Sequence, residues 1–424
     1  MSKIDFMSLK TIDFCDDVRD GTHDSPKHLD SGKLLITSKN IKGDSIDFEN
    51  ASYISEEDYN KINERSLVEI NDVLYSMIGT VGLVYRVDQQ PNYAIKNMGL
   101  FKIHDELKSK WLYYYLNSPK AKGKVLSMLS GTTQKFISLS NLRNLEIEFP
   151  QNIDDAKRII KICESIDKKI KLNNEINNNL LEQCRCLYKE WFIDFNFISK
   201  GVKYKDNNGK MIESEKGLIP VGWIYKRIDE LDLDISDGNY SSKYPTKQEF
   251  QTEGIPFIRG TDFNGYSISR KNLMYITPEK HEILKKGHLK KNDILITTRG
   301  EIGRIVFVSD YFIDSNINAQ LIRINGDKRY PRSFLGMSLI SDYVQNDIKS
   351  LVTGTALQQL PVGKFNQVKI IVPADEEIIK SFDSIVEVAL KKIQENEEQN
   401  EILEQLRDTL LPKLINGEIN LDNI

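Results

Sequence analysis

The chain has 424 residues, of which 40% are hydrophobic and 28% charged, and a net charge of −4. That length accommodates two globular domains, each long enough to bury its own core. No run approaches the roughly 18 apolar residues of a membrane span, and the opening MSKIDFMSLK has no apolar signal core, so the chain is expected in the cytoplasm.

A slightly acidic total argues against a nucleic-acid partner, but its distribution does not. Residues 1–150 carry about −2, 151–200 about +1, 201–373 about +5 and 374–424 about −8. The acid sits mostly at the C-terminal end, so the globular parts can still present basic faces.

From the N-terminus, the polar stretch Asp20-Gly-Thr-His-Asp-Ser-Pro26 reads as a loop. Strands are predicted over Lys33 to Thr37, Asp72 to Met77, Leu83 to Val87, Asn97 to Ile103 and Leu145 to Phe149. A helix from Lys110 to Leu129, broken near Pro119, offers Trp111, Tyr114, Leu116 and Val125 to a core.

Ile153 to Asn196 contains neither Pro nor Gly and reads as one long helix. Alternating steps of four and three pick out Ile159, Cys163, Ile166, Ile170, Asn173, Asn177, Leu180, Cys184, Leu187 and Trp191, a heptad-like seam with an amide-rich centre. Glu376 to Leu411, just before Pro412, has a similar seam that includes Ile393, Asn396, Asn400 and Leu403. The two helices are expected to pair antiparallel, with Asn173 and Asn177 level with Asn396 and Asn400; solvated amides interrupting the seam are the plainer alternative.

Between the helices, Gly201 to Gly222 is polar and reads as a linker. Beyond it the first half recurs. Asn71-Asp-Val-Leu-Tyr-Ser-Met-Ile-Gly-Thr-Val-Gly82 aligns without a gap to Asn292-Asp-Ile-Leu-Ile-Thr-Thr-Arg-Gly-Glu-Ile-Gly303. Gly131-Thr132 before Phe149-Pro150 matches Gly354-Thr355 before Val372-Pro373, and Asp20-Gly21 matches Asp237-Gly238. The second half is predicted to have strands Ile255 to Arg259, Asp293 to Thr298, Ile305 to Ser309, Gln320 to Ile324 and Val368 to Val372, with a helix Pro331 to Leu351. The resulting organisation is a domain over 1–150, a helical spacer over 151–196, a linker over 197–222, a second domain over 223–373 and a second spacer over 374–424. The fold class is α/β (α+β), with mixed twisted sheets in two repeated domains and an undetermined strand order.

Catalytic signatures are missing. There is no phosphate loop, no Gly-x-Gly-x-x-Gly after a strand and no His-Glu-x-x-His, and His23, His28, His104, His281 and His288 are scattered. Cys15, Cys163, Cys184 and Cys186 lack zinc-ligand spacing, so no metal site is expected and the seam cysteines read as buried thiols. Pro373-Ala-Asp-Glu-Glu377 opens a helix, where carboxylates favour the macrodipole. The Gly-x-x-Gly segments suit tight hairpin turns. Their neighbours, Ser76, Met77, Ile78 and Thr80 against Thr297, Thr298, Arg299 and Glu301, differ within a matching framework, as two modules reading different ligands would.

These residues carry a resemblance along nearly the whole chain. Leu187-Tyr-Lys-Glu-Trp-Phe-Ile-Asp-Phe195, Gly217-Leu-Ile-Pro-Val-Gly-Trp223, the paired Asn-Asp-x-Leu…Gly-x-x-Gly segments and the paired Gly-Thr…Pro ends resemble the specificity subunit of type I restriction-modification enzymes. The resemblance implies two target-recognition domains joined by an antiparallel coiled coil, each reading half of a split DNA site, with no catalysis by the chain itself. It further implies two methyltransferase subunits and two ATP-dependent restriction subunits as partners, with S-adenosylmethionine, ATP and magnesium bound there.

For base readout, exposed planar side chains on a rigid frame are needed. The candidates are Lys39, Asn40, Thr80, Asn97, Thr133, Gln134 and Lys135 in the first half, and Arg259, Asp262, Thr298, Arg299, Glu301, Asn318, Gln358 and Gln359 in the second. The competing readings are a self-contained sequence-specific methyltransferase or nuclease, and a coiled-coil adaptor that does not bind DNA.

Overall fold

The computed structural model describes residues 4–43, 45–131, 134–199, 202–203, 210–240, 243–355 and 357–419. The chain divides into two compact units, Met1–Leu172 with Gln399–Ile424, and Asn173–Glu398.

In the first unit, Asp17–Asp20, Met98–Lys102, Val73–Ser76 and Val84–Arg86 form an antiparallel four-stranded sheet in that order. Val73–Ser76 and Met98–Lys102 are buried along their whole length, so they read as apolar runs without alternation. A second sheet orders Ser52–Ile54, Lys33–Ile36 and Tyr93–Ile95, the first pair antiparallel and the second parallel. Strand Phe6–Lys10 pairs with Glu146–Pro150, joining the start of the unit to the end of its globular part. Helix Glu106–Asn117 packs beneath this pair, where Trp111 is fully buried and donates from its indole nitrogen to the Glu148 carbonyl at 2.7 Å.

The second unit repeats this topology. Its four-stranded sheet runs Asp234–Asp237, Leu321–Asn325, Asp293–Thr297, Ile305–Phe307; its mixed sheet runs Met274–Ile276, Ile255–Ile258, Asn316–Ile317; and Ile224–Arg227 pairs with Lys369–Val372. Each four-stranded sheet pairs a buried aspartate at the matching position with a cation from the neighbouring strand, Lys102 and Arg323 standing two register positions apart. Lys102 bonds Asp72 at 2.7 Å in one unit, and Arg323 bonds Asp293 at 3.0 Å in the other. Burial pushes both carboxyls above the usual carboxylate range, against the pull of their hydrogen bonds and cationic partners.

Several expected elements are redrawn. The helix expected over Lys110 to Leu129 is two, Glu106–Asn117 and Pro119–Ser127, with Ser118 capping the second. That expected over Pro331 to Leu351 also divides, into Arg332–Ile340 and Asp342–Leu351, because the Ser341 side chain accepts from the Val344 amide and starts a new helix. Part of the expected linker is a hairpin, Met211–Ser214 against Gly217–Pro220. The central helix spans Ile153–Tyr188 and ends in a π turn, Lys189–Ile193. The last helix runs from Glu376 to Ile415, through Pro412. Proline there removes one backbone donor, but Leu411, Leu414 and Ile415 are buried in the core of the first unit, which offsets that loss.

The two long helices pair antiparallel in both units. In the first, Ile159, Cys163 and Ile166 share a core with Leu411 and Leu414, and Arg407 bonds Asp167 at 2.9 Å. In the second, Tyr188 and Phe192 lie against Phe382, while further back along the helix Asn177 accepts from Asn396. Ile166, Ile393, Asn173, Asn177, Asn396 and Asn400 are buried, and Ile170, Leu180 and Leu403 are half-buried. Burial pushes the Cys163 thiol up to about 12 and that of Cys184 to about 11, so both are unreactive packing groups. Among the described residues, no helix is long and apolar enough to cross a membrane.

Candidate nucleic-acid interface

Each four-stranded sheet delivers a loop pair at the end opposite its buried ion pair. In the first unit, strand Val73–Ser76 runs into a turn in which Gly79 and Gly82 have φ of 78° and 101°. Ser76 closes it: its hydroxyl donates to the Thr80 carbonyl at 2.6 Å and accepts from the Leu83 amide at 2.7 Å. In the second unit Thr297 does the same, donating to the Glu301 carbonyl and accepting from the Arg304 amide at 3.0 Å, with Gly300 and Gly303 at φ of 70° and 89°.

The second loop of each pair is pinched at its base by reciprocal backbone bonds, Ser130 with Phe136 and Thr353 with Gln359. A Cβ on Gly131 would lie 2.3 Å from the Gln134 carbonyl oxygen, and one on Gly354 would lie 2.5 Å from that of Leu357, so both positions require glycine. The two loops of a pair are also fastened together. Ile137 donates to Met77 at 3.0 Å, and Leu360 donates to Thr298 at 2.9 Å. A third loop comes close where Gly21 packs on the Ile95 carbonyl and Gly238 on that of Asn318, approaches that leave no room for a side chain.

The structure thus gathers Thr80, Gln134 and Lys135 in one unit, all exposed, and Arg299, Glu301, Gln358 and Gln359 in the other, also exposed. Arg299 Nη2 bonds Gln359 Oε1 at 3.1 Å, tying the loop tips together. Asn97 is half-buried, at φ 54°, and accepts from His23 at 2.9 Å, while the other ring nitrogen of His23 faces Asp20 at 2.9 Å. The bonds to Asn97 and then to Asp20 raise the His23 pKa above its ordinary value. Sequence reasoning passed over His23, whose partner Asn97 is distant in the chain.

Other candidates build the frame. Asn40 is buried and its Oδ1 accepts from the Thr37 amide at 3.0 Å. At the matching turn Asp262 is buried and accepts from the Arg259 backbone at 2.8 Å and from its guanidinium at 2.5 Å, which occupies both candidates. Thr298 is buried, and Asn318 is buried with Oδ1 accepting from the Gln320 amide at 3.0 Å. Lys39 is exposed on the Ser38–Asn40 turn, and Thr133 lies outside the described residues. Leu357, at the tip between Gly354 and Gln359, is 88% exposed, a feature that a search for polar readers overlooks.

The family model of the type I restriction modification DNA specificity domain matches this chain twice, at residues 24–182 and 220–409. The chain belongs to this family. It is a specificity subunit of a type I restriction-modification system, a DNA-recognition subunit with two domains that does not itself catalyse. The HindI specificity subunit of Haemophilus influenzae is 23% identical, over 84% of this chain and 88% of its own. The MjaIX specificity subunit of Methanocaldococcus jannaschii is 26% identical, over 88% of this chain and 84% of its own. The fold is shared with the crystal structure of the type I S subunit from M. genitalium, with a TM-score of 0.55 at 17% identity over 98% of this chain and 97% of that one.

Proposed function

We propose that this specificity subunit reads a split, asymmetric DNA target, one half-site per repeat, through the fastened loop pairs. The observation that carries the reading is one loop frame built twice with unlike exposed tips: Thr80, Gln134 and Lys135 against Arg299, Glu301, Gln358 and Gln359. Arginine and glutamine tips suit bidentate contact with guanine and adenine edges. Lys39 and Asn97 complete the first set, with Thr133 beside Gln134. Arg259, Asn40, Asp262, Thr298 and Asn318 support the loops.

The recognition domains are taken as 1–150 and 223–373, the spacers as 151–196 and 374–424, and the linker as 197–222. The partners are two methyltransferase subunits and two restriction subunits in the cytoplasm. S-adenosylmethionine, ATP and magnesium belong to those partners.

Methylome sequencing of a host with and without the gene tests the reading. A split motif that vanishes with the gene supports it, and replacing residues 223–373 by those of another family member should change one half of that motif only. An undivided motif, or a change in both halves, overturns it.

A further inference from the structure

Two of the scattered histidines meet in the second unit. His281, on the short helix Pro278–Ile283, and His288, in the loop that follows, stack with ring centroids 4.0 Å apart and planes at 20°. Asp314 joins them, its Oδ1 3.5 Å from Nε2 of His281. One ligating atom from each of the three lies within 4.8 Å of the others.

The surrounding hydrogen bonds decide which nitrogens are free. The Leu284 carbonyl can only accept, so Nε2 of His288, 2.5 Å away, carries a hydrogen. The same carbonyl accepts from Nδ2 of Asn316 at 3.4 Å, which turns Asn316 Oδ1 towards Nδ1 of His281 at 2.5 Å. That nitrogen donates too. In the neutral rings, Nε2 of His281 and Nδ1 of His288 therefore keep their lone pairs. In that arrangement Nε2 of His281 and Oδ1 of Asp314 face one another at 3.5 Å as two donor atoms for one cation. Donation of the second ring N–H to a carbonyl is also how metal-bound imidazoles are oriented.

We infer that His281, His288 and Asp314 form a binding site for a first-row divalent transition metal, zinc above all. Two imidazole nitrogens and one carboxylate suit zinc, cobalt or nickel better than magnesium or calcium. Zinc ligands at about 2.0–2.2 Å in a tetrahedron lie roughly 3.3 Å apart, so the present spacing closes by tilting the half-buried His288 ring and rotating the exposed Asp314 side chain. Water takes the fourth position on the exposed side.

The site sits beside the proposed reading loops. Ile317, in the strand leading to Asn318, donates to the Gly287 carbonyl at 3.2 Å, and Asn239 Nδ2 donates to the Lys286 carbonyl at 2.9 Å. The metal would fasten the helix and loop 278–288 to residues 314–318, stiffening one recognition domain only. The matching helix and strand of the first unit, Glu56–Ser66 and Tyr93–Ile95, place Tyr59 and Ala94 where His281 and Asn316 stand.

The untagged full chain, stripped with a chelator and dialysed, would be titrated with Zn²⁺ and separately with Co²⁺. The expected result is one metal per chain, with visible Co²⁺ absorption typical of a four-coordinate site. Asp314→Asn, which suits the left-handed backbone at φ 66°, should weaken binding at least tenfold, and His288→Ala should abolish it, both with wild-type circular dichroism. Equal binding by wild type and both variants, no stoichiometric binding at micromolar metal, or NMR showing His281 to be a doubly protonated partner of Asp314 without metal would each overturn the proposal.

Discussion

Nδ2 of Asn396 donates to Oδ1 of Asn177 at 2.8 Å, across the paired long helices, and both residues are buried. The bond gives the buried Asn177 oxygen a donor, and a paired amide at this level of the seam favours one axial register.

Asn396→Leu alone should therefore lower stability by about 1–3 kcal/mol, since Asn177 keeps its desolvation cost without its partner. The double variant Asn177→Leu/Asn396→Leu should recover that loss or exceed wild type. Chemical denaturation of the four proteins in the cycle measures the coupling. Additive losses would show that the bond does not matter to stability.

Lys102 neutralises buried Asp72. Lys102→Met should cost about 3–5 kcal/mol at neutral pH because it leaves a buried carboxylate without its cation. Asp72 already has a raised pKa, and removal of the lysine raises it further. A carboxyl raised in the folded state favours folding below its unfolded pKa and loses that advantage as pH rises through the folded value. The deficit of the variant should therefore shrink as pH falls from 7 towards 4.5. A constant deficit across that range would contradict the assignment.

The His23 pKa is raised by its bonds to Asn97 and Asp20. Protonation therefore stabilises this loop, fully below the unfolded histidine value and progressively less as pH rises through the folded one. Amide exchange of residues 20–26 should be slower at pH 6 than at pH 8 after correction for intrinsic rates. His23→Gln should remove the difference, and an unaltered difference in that variant would assign it to another group.

Arg299→Ala should relax discrimination at one base pair of one half-site by about 1–3 kcal/mol, leaving the other half-site intact. Methylation of a randomised target library by the assembled complex reads this directly. Unchanged selectivity would leave Arg299 as a partner of Gln359 only.

The sequence by itself determined what depends on local spacing. The helix pair was legible because its seam recurs at a helical period. The duplicated loop frame was legible because glycines at positive φ, such as Gly79 and Gly300, tolerate few replacements and so mark the same place twice. Where chain neighbours do not decide the outcome, the tertiary structure did. Strand order rests on pairings such as Phe6–Lys10 with Glu146–Pro150, which no local pattern encodes. The exposure of a polar side chain depends on what folds over it, which is why Asn40, Asp262 and Asn318 support turns while Arg299 and Gln358 face outward. His281, His288 and Asp314 span 34 positions of sequence, and only the folding of loop 284–292 onto strand Asn316–Ile317 brings their ligand atoms to within 4.8 Å.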